Sequence, residues 1–121
     1  MILRPEWPAS FTIAPAKITA YLLDPAHVDG GPKCAFLVSF GFSPRSPDDL
    51  RRAILVHAHR DNFRRFVPAR RAVKLDFEGL LLAPMPDLPN VRTVWQLNDD
   101  DPMQAARFVT LKPLPRRAAP R

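Results

Sequence analysis

Apolar residues recur at helical spacing through the first half of the chain. Their positions predict three helices, over about residues 15–23, 32–40 and 47–59. Each predicted helix has a proline in its first turn, where the missing N–H is not needed: Pro15, Pro32 and Pro47. Gly41 is placed to cap the second helix, and Ser46 is a favourable N-cap for the third.

After these helices the apolar pattern changes to a period of two residues, which predicts strands. Residues 73–77 alternate between apolar and charged side chains, and this strand is expected to continue to Leu82 with a bulge at Gly79. Residues 91–97 and 105–111 predict two further strands, because both runs are rich in β-branched and aromatic residues.

Two segments leave alternatives open. Residues 63–67 are read either as a short strand before residue 73 or as a loop, because the connection after Val67 carries no clear turn signal. Residues 11–13 are read either as a short strand or as an extended segment that packs Trp7 and Phe11 on the core.

The order of elements predicts the fold class. Helices followed by a meander indicate an α+β fold, in which two to three N-terminal helices pack on one face of a three- to five-stranded antiparallel sheet. A chain of 121 residues is long enough to bury one core without metals or disulfides. We expect a lead-in over 1–14, a single α+β domain over 15–113 and a flexible basic Pro/Arg tail over 114–121.

The chain is basic, with 18 Lys and Arg against 12 Asp and Glu, a net charge of +6 and a pI of about 10.4. The cations crowd two segments, residues 51–74 and 107–121, whereas acids collect at residues 99–101. This asymmetry favours a polyanionic partner, with nucleic acid first, over the alternative of a solvated basic face.

No membrane-spanning run or secretory signal is recognisable, and Cys34 is the single cysteine. These features predict a cytoplasmic protein that has no membrane partner. Metal and cofactor sites are not expected either. His57 and His59 would lie on different faces of a helix, and the Gly30-Gly31 segment lacks the length of a phosphate-binding loop.

The remaining candidate chemistry is metal-free. His27 lies in the loop between the first two helices and is the predicted general acid or base. Lys33 and Arg92 are candidate anion ligands, and Thr110 is a candidate hydrogen-bond donor from the last strand, on one face with Phe108 and Lys112. The alternative for all four candidates is a structural role, such as a turn hydrogen bond for His27 or a solvated surface charge for Lys33.

A family resemblance adds to this interpretation. The segments 17–27, 31–36 and 40–42 resemble the opening of a small bacterial family of domains of unknown function, and 91–95 and 107–113 resemble its closing strands. Members stand alone or end longer toxin-like proteins, and their layout is similar to the barnase/EndoU/colicin/RelE class of ribonuclease toxins. The chain departs from the family pattern in two places. It lacks a glycine turn before residue 73, and Leu111-Lys112 stands where a small-aromatic pair is expected.

The leading hypothesis is therefore a metal-independent ribonuclease of toxin type, in which the RNA 2′-OH attacks the adjacent phosphate. His27, Lys33, Arg92 and Thr110 would form its catalytic site, and no cofactor would be needed. RNA and a small antitoxin or immunity protein would be its partners. The alternatives are a non-catalytic RNA- or protein-binding module and a structural or accessory domain.

Overall fold

The computed structural model describes residues 7–116. The elements in chain order are β1 (Ser10–Thr12), α1 (Pro15–Lys17), a π-helical turn (Ile18–Leu22), α2 (Gly30–Val38), α3 (Pro47–His57), a 3-10 turn (Arg60–Asn62), β2 (Phe63–Ala69), β3 (Ala72–Leu80), β4 (Asn90–Asn98) and β5 (Ala105–Pro113). The predicted three helices and three long strands are confirmed. The alternatives at residues 63–67 and 11–13 are both resolved as strands.

The five strands form one sheet in the order β1-β5-β4-β3-β2. Strands β2 to β5 are antiparallel, as predicted, but β1 pairs parallel to β5, with Phe11 opposite Ala106. The prediction of a purely antiparallel sheet is therefore wrong at this edge, and the helices are not all N-terminal because β1 precedes them. A strand of three residues is too short for a hydrophobic period to reveal its presence or direction.

The helices cover the sheet face that carries Thr93 and Trp95, which are both fully buried. Their apolar side chains Leu22, Leu37 and Ile54 are also fully buried in this core. Burial of each large apolar side chain stabilises the fold by about 1.5–3 kcal/mol. The core therefore lies between the helices and one face of the sheet, as the alternating pattern of β4 predicts.

The N-terminal segment packs two aromatic side chains, Trp7 and Phe11, against the core. The rings of Trp7 and Phe63 are 5.3 Å apart at their centroids, and those of Phe11 and Trp95 are 5.2 Å apart, both edge to face. Phe77 contacts Trp7 and Phe11 at 5.8 Å each. Edge-to-face contacts are favourable for aromatic quadrupoles. Residues 7–13 are therefore packed on the core rather than merely preceding it.

Three turns and bulges differ from expectation. Arg70 and Arg71 form the two-residue turn between β2 and β3, and Arg71 adopts a φ of 53°, the left-handed conformation that glycine normally supplies. The pairing of β3 with β4 is continuous through Gly79, so the bulge predicted there is wrong; β2 is irregular instead, between Phe63 and Arg65. In β5, Val109 forms a bulge, because it has no partner residue in β4.

The bulge at Val109 changes which β5 side chains share a face. Phe108 pairs with Trp95 and Leu111 pairs with Thr93, so both lie on the core face although they are three residues apart. Thr110 pairs with Val94, whose side chain lies on the opposite face of the sheet. The prediction that Thr110 shares a face with Phe108 is therefore wrong. The extra residue reverses the alternation, which the sequence pattern does not mark.

A buried polar chain links α3 to the sheet. Trp95 Nε1 donates to Thr93 Oγ1 over 3.1 Å, and this hydroxyl lies 2.8 Å from His57 Nδ1. His57 Nε2 lies 3.1 Å from the Gly79 carbonyl oxygen. The Gly79 carbonyl can only accept, so His57 Nε2 carries a hydrogen, and in the neutral imidazole Nδ1 accepts from the Thr93 hydroxyl. Burial lowers the pKa of His57, and only in part do hydrogen bonds to backbone offset it.

The C-terminal end of the described chain is held by hydrogen bonds to β4. The Leu114 N–H donates to the Asn90 carbonyl over 2.9 Å, and Asn90 Nδ2 donates to the Pro115 carbonyl over 3.0 Å. The first six residues of the predicted lead-in and residues 117–121 of the predicted tail lie outside the described residues. Within 7–116, no helix has both the length and the apolar character needed to cross a membrane.

Candidate functional site

Lys33, Tyr21 and Thr110 form a closed triangle of hydrogen bonds. The Lys33 ammonium donates to the Tyr21 hydroxyl over 2.6 Å and to Thr110 Oγ1 over 2.8 Å. The two hydroxyls are themselves 2.8 Å apart. The three side chains come from α2, the π-helical turn and β5, and all three are half-buried. The structure thus brings together two of the predicted site residues, with a tyrosine between them.

The backbone around Tyr21 and Gly30 explains how α2 reaches this position. A Cβ atom on Gly30 would collide with the Tyr21 carbonyl group, and one on Gly31 would lie 2.7 Å from the Pro25 carbonyl oxygen. Neither glycine has a positive φ. A Gly-Gly pair permits unusual backbone angles, but Gly30 and Gly31 adopt none. They are required because α2 begins in direct contact with the preceding backbone.

His27 is tied to the start of α2 by its own ring. Its Nδ1 accepts hydrogen bonds from the Asp29 N–H over 3.1 Å and the Gly30 N–H over 2.9 Å. The neutral ring therefore carries its hydrogen on Nε2. The ring packs edge to face against Tyr21, with 5.0 Å between centroids. His27 thus lies beside the triangle, and its Nδ1 cannot take a proton without breaking both bonds.

Lys17 adds a second cation close to Tyr21. Its ammonium donates to the Val109 carbonyl over 2.9 Å and lies 5.3 Å from the centroid of the Tyr21 ring. The Lys33 ammonium lies 5.1 Å from the same centroid. Within residues 7–116, every hydrogen bond of this group is made with a hydroxyl or the backbone and none with a carboxylate. The group is therefore strongly positive.

The surroundings change the acidity of Tyr21. Burial raises the pKa of the Tyr21 phenol. The hydrogen bonds with Lys33 and Thr110 and the charges of Lys33 and Lys17 lower it by more than burial raises it, so that the pKa lies below the usual value of 10.0. Ammonium groups stabilise the phenolate more than the neutral phenol, which is the physical cause of the shift. Tyr21 is thereby made a better proton-transfer group than an ordinary tyrosine.

Arg92 is not part of this group. Its guanidinium is held by Glu78, with Nε and a terminal nitrogen 2.8 and 2.7 Å from the same carboxylate oxygen. Arg92 pairs in register with Glu78 and Lys112, and therefore lies on the sheet face opposite to Thr93 and the helices. Among the described residues, Arg92 makes no hydrogen bond with Lys33, Tyr21 or Thr110. Burial raises the pKa of Glu78, but the hydrogen bond and charge of Arg92, with Arg65 and Arg64, bring it below its usual value.

Sequence reasoning missed Tyr21 and Lys17. Tyr21 lies at helical spacing with Ile18, and this spacing predicts an aromatic side chain that faces the core. Two signals point to it: it is the single tyrosine of the chain, and it lies in a π-helical turn, where the Leu23 N–H donates to the Ile18 carbonyl over 2.9 Å. Such turns are rare and frequent at functional sites.

The described residues contain no cluster of His, Cys, Asp and Glu that could hold a metal ion. Surface cavities lie elsewhere on the described part of the chain. One of about 340 Å³ lies between α3 and the segment after β3, and another of about 190 Å³ lies between Phe36 and Leu114. A third, about 240 Å³, is lined by aromatic residues around Trp7. The Lys33 group thus lines none of these three cavities.

One solved structure has a similar fold: the contact-dependent growth inhibition toxin–immunity protein complex from Klebsiella pneumoniae 342. The TM-score is 0.66 at 12% identity, and the match covers 84% of this chain and 91% of that one. At this identity the likeness shows a shared fold. No curated protein sequence matches the chain.

A family model for a domain of unknown function, DUF6883, matches residues 6–115. This confirms the resemblance to a family of unknown function that the first helices and closing strands predict. The matched segment covers nearly the whole chain, and the protein therefore belongs to the DUF6883 family.

Proposed function

We propose that this protein is a metal-independent ribonuclease of toxin type that acts on RNA in the cytoplasm. The observation that carries the proposal is the Lys33 ammonium, which donates to the Tyr21 and Thr110 hydroxyls beside His27 and Lys17. Cleavage by the RNA 2′-OH needs a base, an acid and stabilisation of phosphate charge, and these side chains supply all three without a metal. The fold shared with a chain of a toxin–immunity protein complex supports a place in such a toxin system.

The Tyr21–Lys33 pair carries the proton transfer in this proposal. The Tyr21 phenolate takes the 2′-OH proton as the new bond to phosphorus forms. The bond to the 5′-oxygen then breaks, and the Lys33 ammonium donates a proton to that leaving oxygen. The hydrogen bond of 2.6 Å between the two groups returns the proton from Tyr21 to Lys33. The products are a 2′,3′-cyclic phosphate end and a free 5′-OH end.

The other residues bind and position. His27 keeps Nδ1 for the α2 backbone and so acts through its Nε2–H, as a donor to a phosphate oxygen, together with Lys17. Thr110 holds the Lys33 and Tyr21 groups at their observed separation. Arg92 is proposed to contact the RNA backbone on the outer sheet face, because Glu78 holds its guanidinium away from Lys33 and Tyr21.

A small protein partner follows from the toxin role. An immunity protein or antitoxin that blocks a positive site would present acidic side chains, since Lys17 and Lys33 attract carboxylates as well as phosphates. Binding to such a partner would also protect the cell that makes the enzyme.

The test is incubation of purified protein with single-stranded RNA in the presence of EDTA. Wild type is expected to release cyclic phosphate ends, and Lys33→Met and His27→Ala to release far fewer. Arg51→Ala, which removes an exposed cation from α3, is the matched control and should cleave normally. The absence of cyclic phosphate ends with folded wild type would contradict the proposal.

The second candidate is a non-catalytic RNA- or protein-binding module. The observation that favours it is that Lys33 already donates to two internal hydroxyls, as a purely structural lysine would. In that case wild type would bind RNA or an acidic protein without cleaving RNA. Lys33→Met would then lower the free energy of unfolding and leave RNA chemically intact.

A further inference from the structure

Trp7, Phe63 and Phe66 line a surface cavity together with Arg60. Its volume is about 240 Å³, and the three rings are all half-buried, so that part of each faces the cavity and part faces the core. This volume is below the range of about 300–1,000 Å³ typical of sites for drug-sized ligands. The size fits a single flat ring system better than an extended ligand or a protein loop.

The side chains of the cavity are held in place by one another. The Trp7 and Phe63 rings meet edge to face at 5.3 Å, and the Phe63 and Phe66 rings are 4.8 Å apart. The Arg60 guanidinium carbon lies 4.3 Å from the Trp7 ring centroid, which is a cation–π contact. The aromatic walls are therefore preformed, and a ligand would pay little to order them.

The charge next to the cavity selects the ligand class. The cation that lines the cavity is the exposed Arg60, because Arg64 and Arg65 of the same strand are paired with Glu78 and Asp76 on the other face of the sheet. An acidic backbone beside a flat, uncharged ring is the chemistry of a single-stranded nucleic acid. Proteins bind such strands by combining arginines along the backbone with aromatic side chains on which unpaired bases stack.

We propose that the cavity formed by Trp7, Arg60, Phe63 and Phe66 binds one unstacked base of a single-stranded RNA. The inference rests on the proposed ribonuclease function and assigns a place where the substrate strand is held. Strand β2, which bears the cavity, is separated from β5 and Thr110 by two strands, roughly 14 Å at the usual spacing of about 4.8 Å. The bound base would thus lie a few nucleotides from the scissile phosphate.

The test uses a short single-stranded oligonucleotide made of 2′-O-methyl ribonucleotides. It lacks the 2′-OH nucleophile, so the enzyme cannot cleave it and binding is measured alone. Trp95 is fully buried, so quenching of tryptophan fluorescence by the bound oligonucleotide would come from Trp7. We expect saturable quenching in wild type and its loss in Trp7→Phe, which removes the indole and keeps a ring.

Two variants with matched controls test the stacking contribution. Phe66→Ala and Arg60→Ala should each weaken binding of the single strand about tenfold, the usual cost of losing one stacking partner. Phe40→Ala removes a half-buried ring from a different cavity and Arg51→Ala removes an exposed cation, and both should bind nearly as wild type does. Binding of a duplex of the same sequence, whose bases are already stacked, should be unaffected by Phe66→Ala.

Two results would overturn the inference. One is an unchanged Trp7 fluorescence at saturating oligonucleotide. The other is a Phe66→Ala variant that binds the single strand as well as Phe40→Ala does, which would assign the cavity to a protein ligand or to no ligand. Neither result depends on catalysis. Failure of the ribonuclease proposal would instead appear as intact, unmodified RNA after incubation with the folded protein.

Discussion

Acidification between pH 6.5 and 5 should destabilise this protein through one buried side chain, His57. The His57 side chain is 2% exposed, and its burial disfavours the charged imidazolium. In the neutral ring Nε2–H donates to the Gly79 carbonyl and Nδ1 accepts from the Thr93 hydroxyl, which must turn its hydrogen away when Nδ1 takes a proton. Protonation of the folded state is therefore opposed, whereas the unfolded chain takes up the proton near pH 6.5.

The pH dependence of the free energy of unfolding follows from the difference in His57 pKa between the folded and unfolded states. Because the folded pKa of His57 is depressed, the stabilisation is fully present above the unfolded pKa of 6.5 and is lost as the pH falls toward the folded pKa. Each pH unit below 6.5 then costs up to about 1.4 kcal/mol of unfolding free energy. Between pH 7 and 5 the loss is at most about 2 kcal/mol, a large share of the stability of a small domain.

The assay is urea unfolding of wild type, His57→Gln and His59→Gln at a series of pH values from 7 to 5. The glutamine at 57 keeps a polar side chain without a titrating group, so this variant should be less stable at pH 7 but should lose the pH dependence. His59 is exposed two residues away, and its variant should retain the wild-type slope. The reasoning is refuted if His57→Gln keeps the slope, or if His59→Gln removes it.

Three further predictions concern stability. Arg71→Gly should raise the free energy of unfolding by about 0.5–1 kcal/mol in urea titrations, because glycine adopts the φ of 53° without strain; an equal or lower value would contradict this reading of the turn. Gly30→Ala should lower the midpoint of thermal unfolding by several degrees, or prevent folding, because its Cβ would meet the Tyr21 carbonyl, and unchanged stability would exclude that close contact. Glu78→Gln should lower the free energy of unfolding by about 1 kcal/mol at pH 7, since it removes the ion pair with Arg92. The difference from wild type should shrink as the pH falls below 4.5, and a difference that persists at low pH would contradict a role of the ion pair.

The sequence pattern was sufficient for the elements that bury a regular face. The helical spacing of Ile18 and Leu22 and the strand alternation of β4 both report burial on one side, and burial is what their side chains show. It was not sufficient for β1, because three residues carry no measurable period. It was also not sufficient for β5, where Val109 and Thr110 suit a strand equally well on either face and so conceal the bulge.

The candidate site was predictable in part. Lys33 and Thr110 are 77 residues apart in the chain, and both were proposed because their residue types suit phosphate binding. Their contact through Tyr21 depends on the docking of α2 against the preceding backbone at Gly30, a tertiary event with no local signature. Arg92 also suits phosphate binding by its residue type, but its guanidinium is held by Glu78 of β3, on the side of β4 away from β5.

The central claim is that the Tyr21–Lys33 pair transfers the proton in RNA cleavage, and Tyr21→Phe tests it most directly. The substitution removes one hydroxyl and keeps the ring that packs against His27. The account predicts that this variant unfolds at nearly the same urea concentration as wild type. It should form cyclic phosphate ends at least about 100-fold more slowly than wild type. Cleavage by folded Tyr21→Phe at the wild-type rate would contradict it.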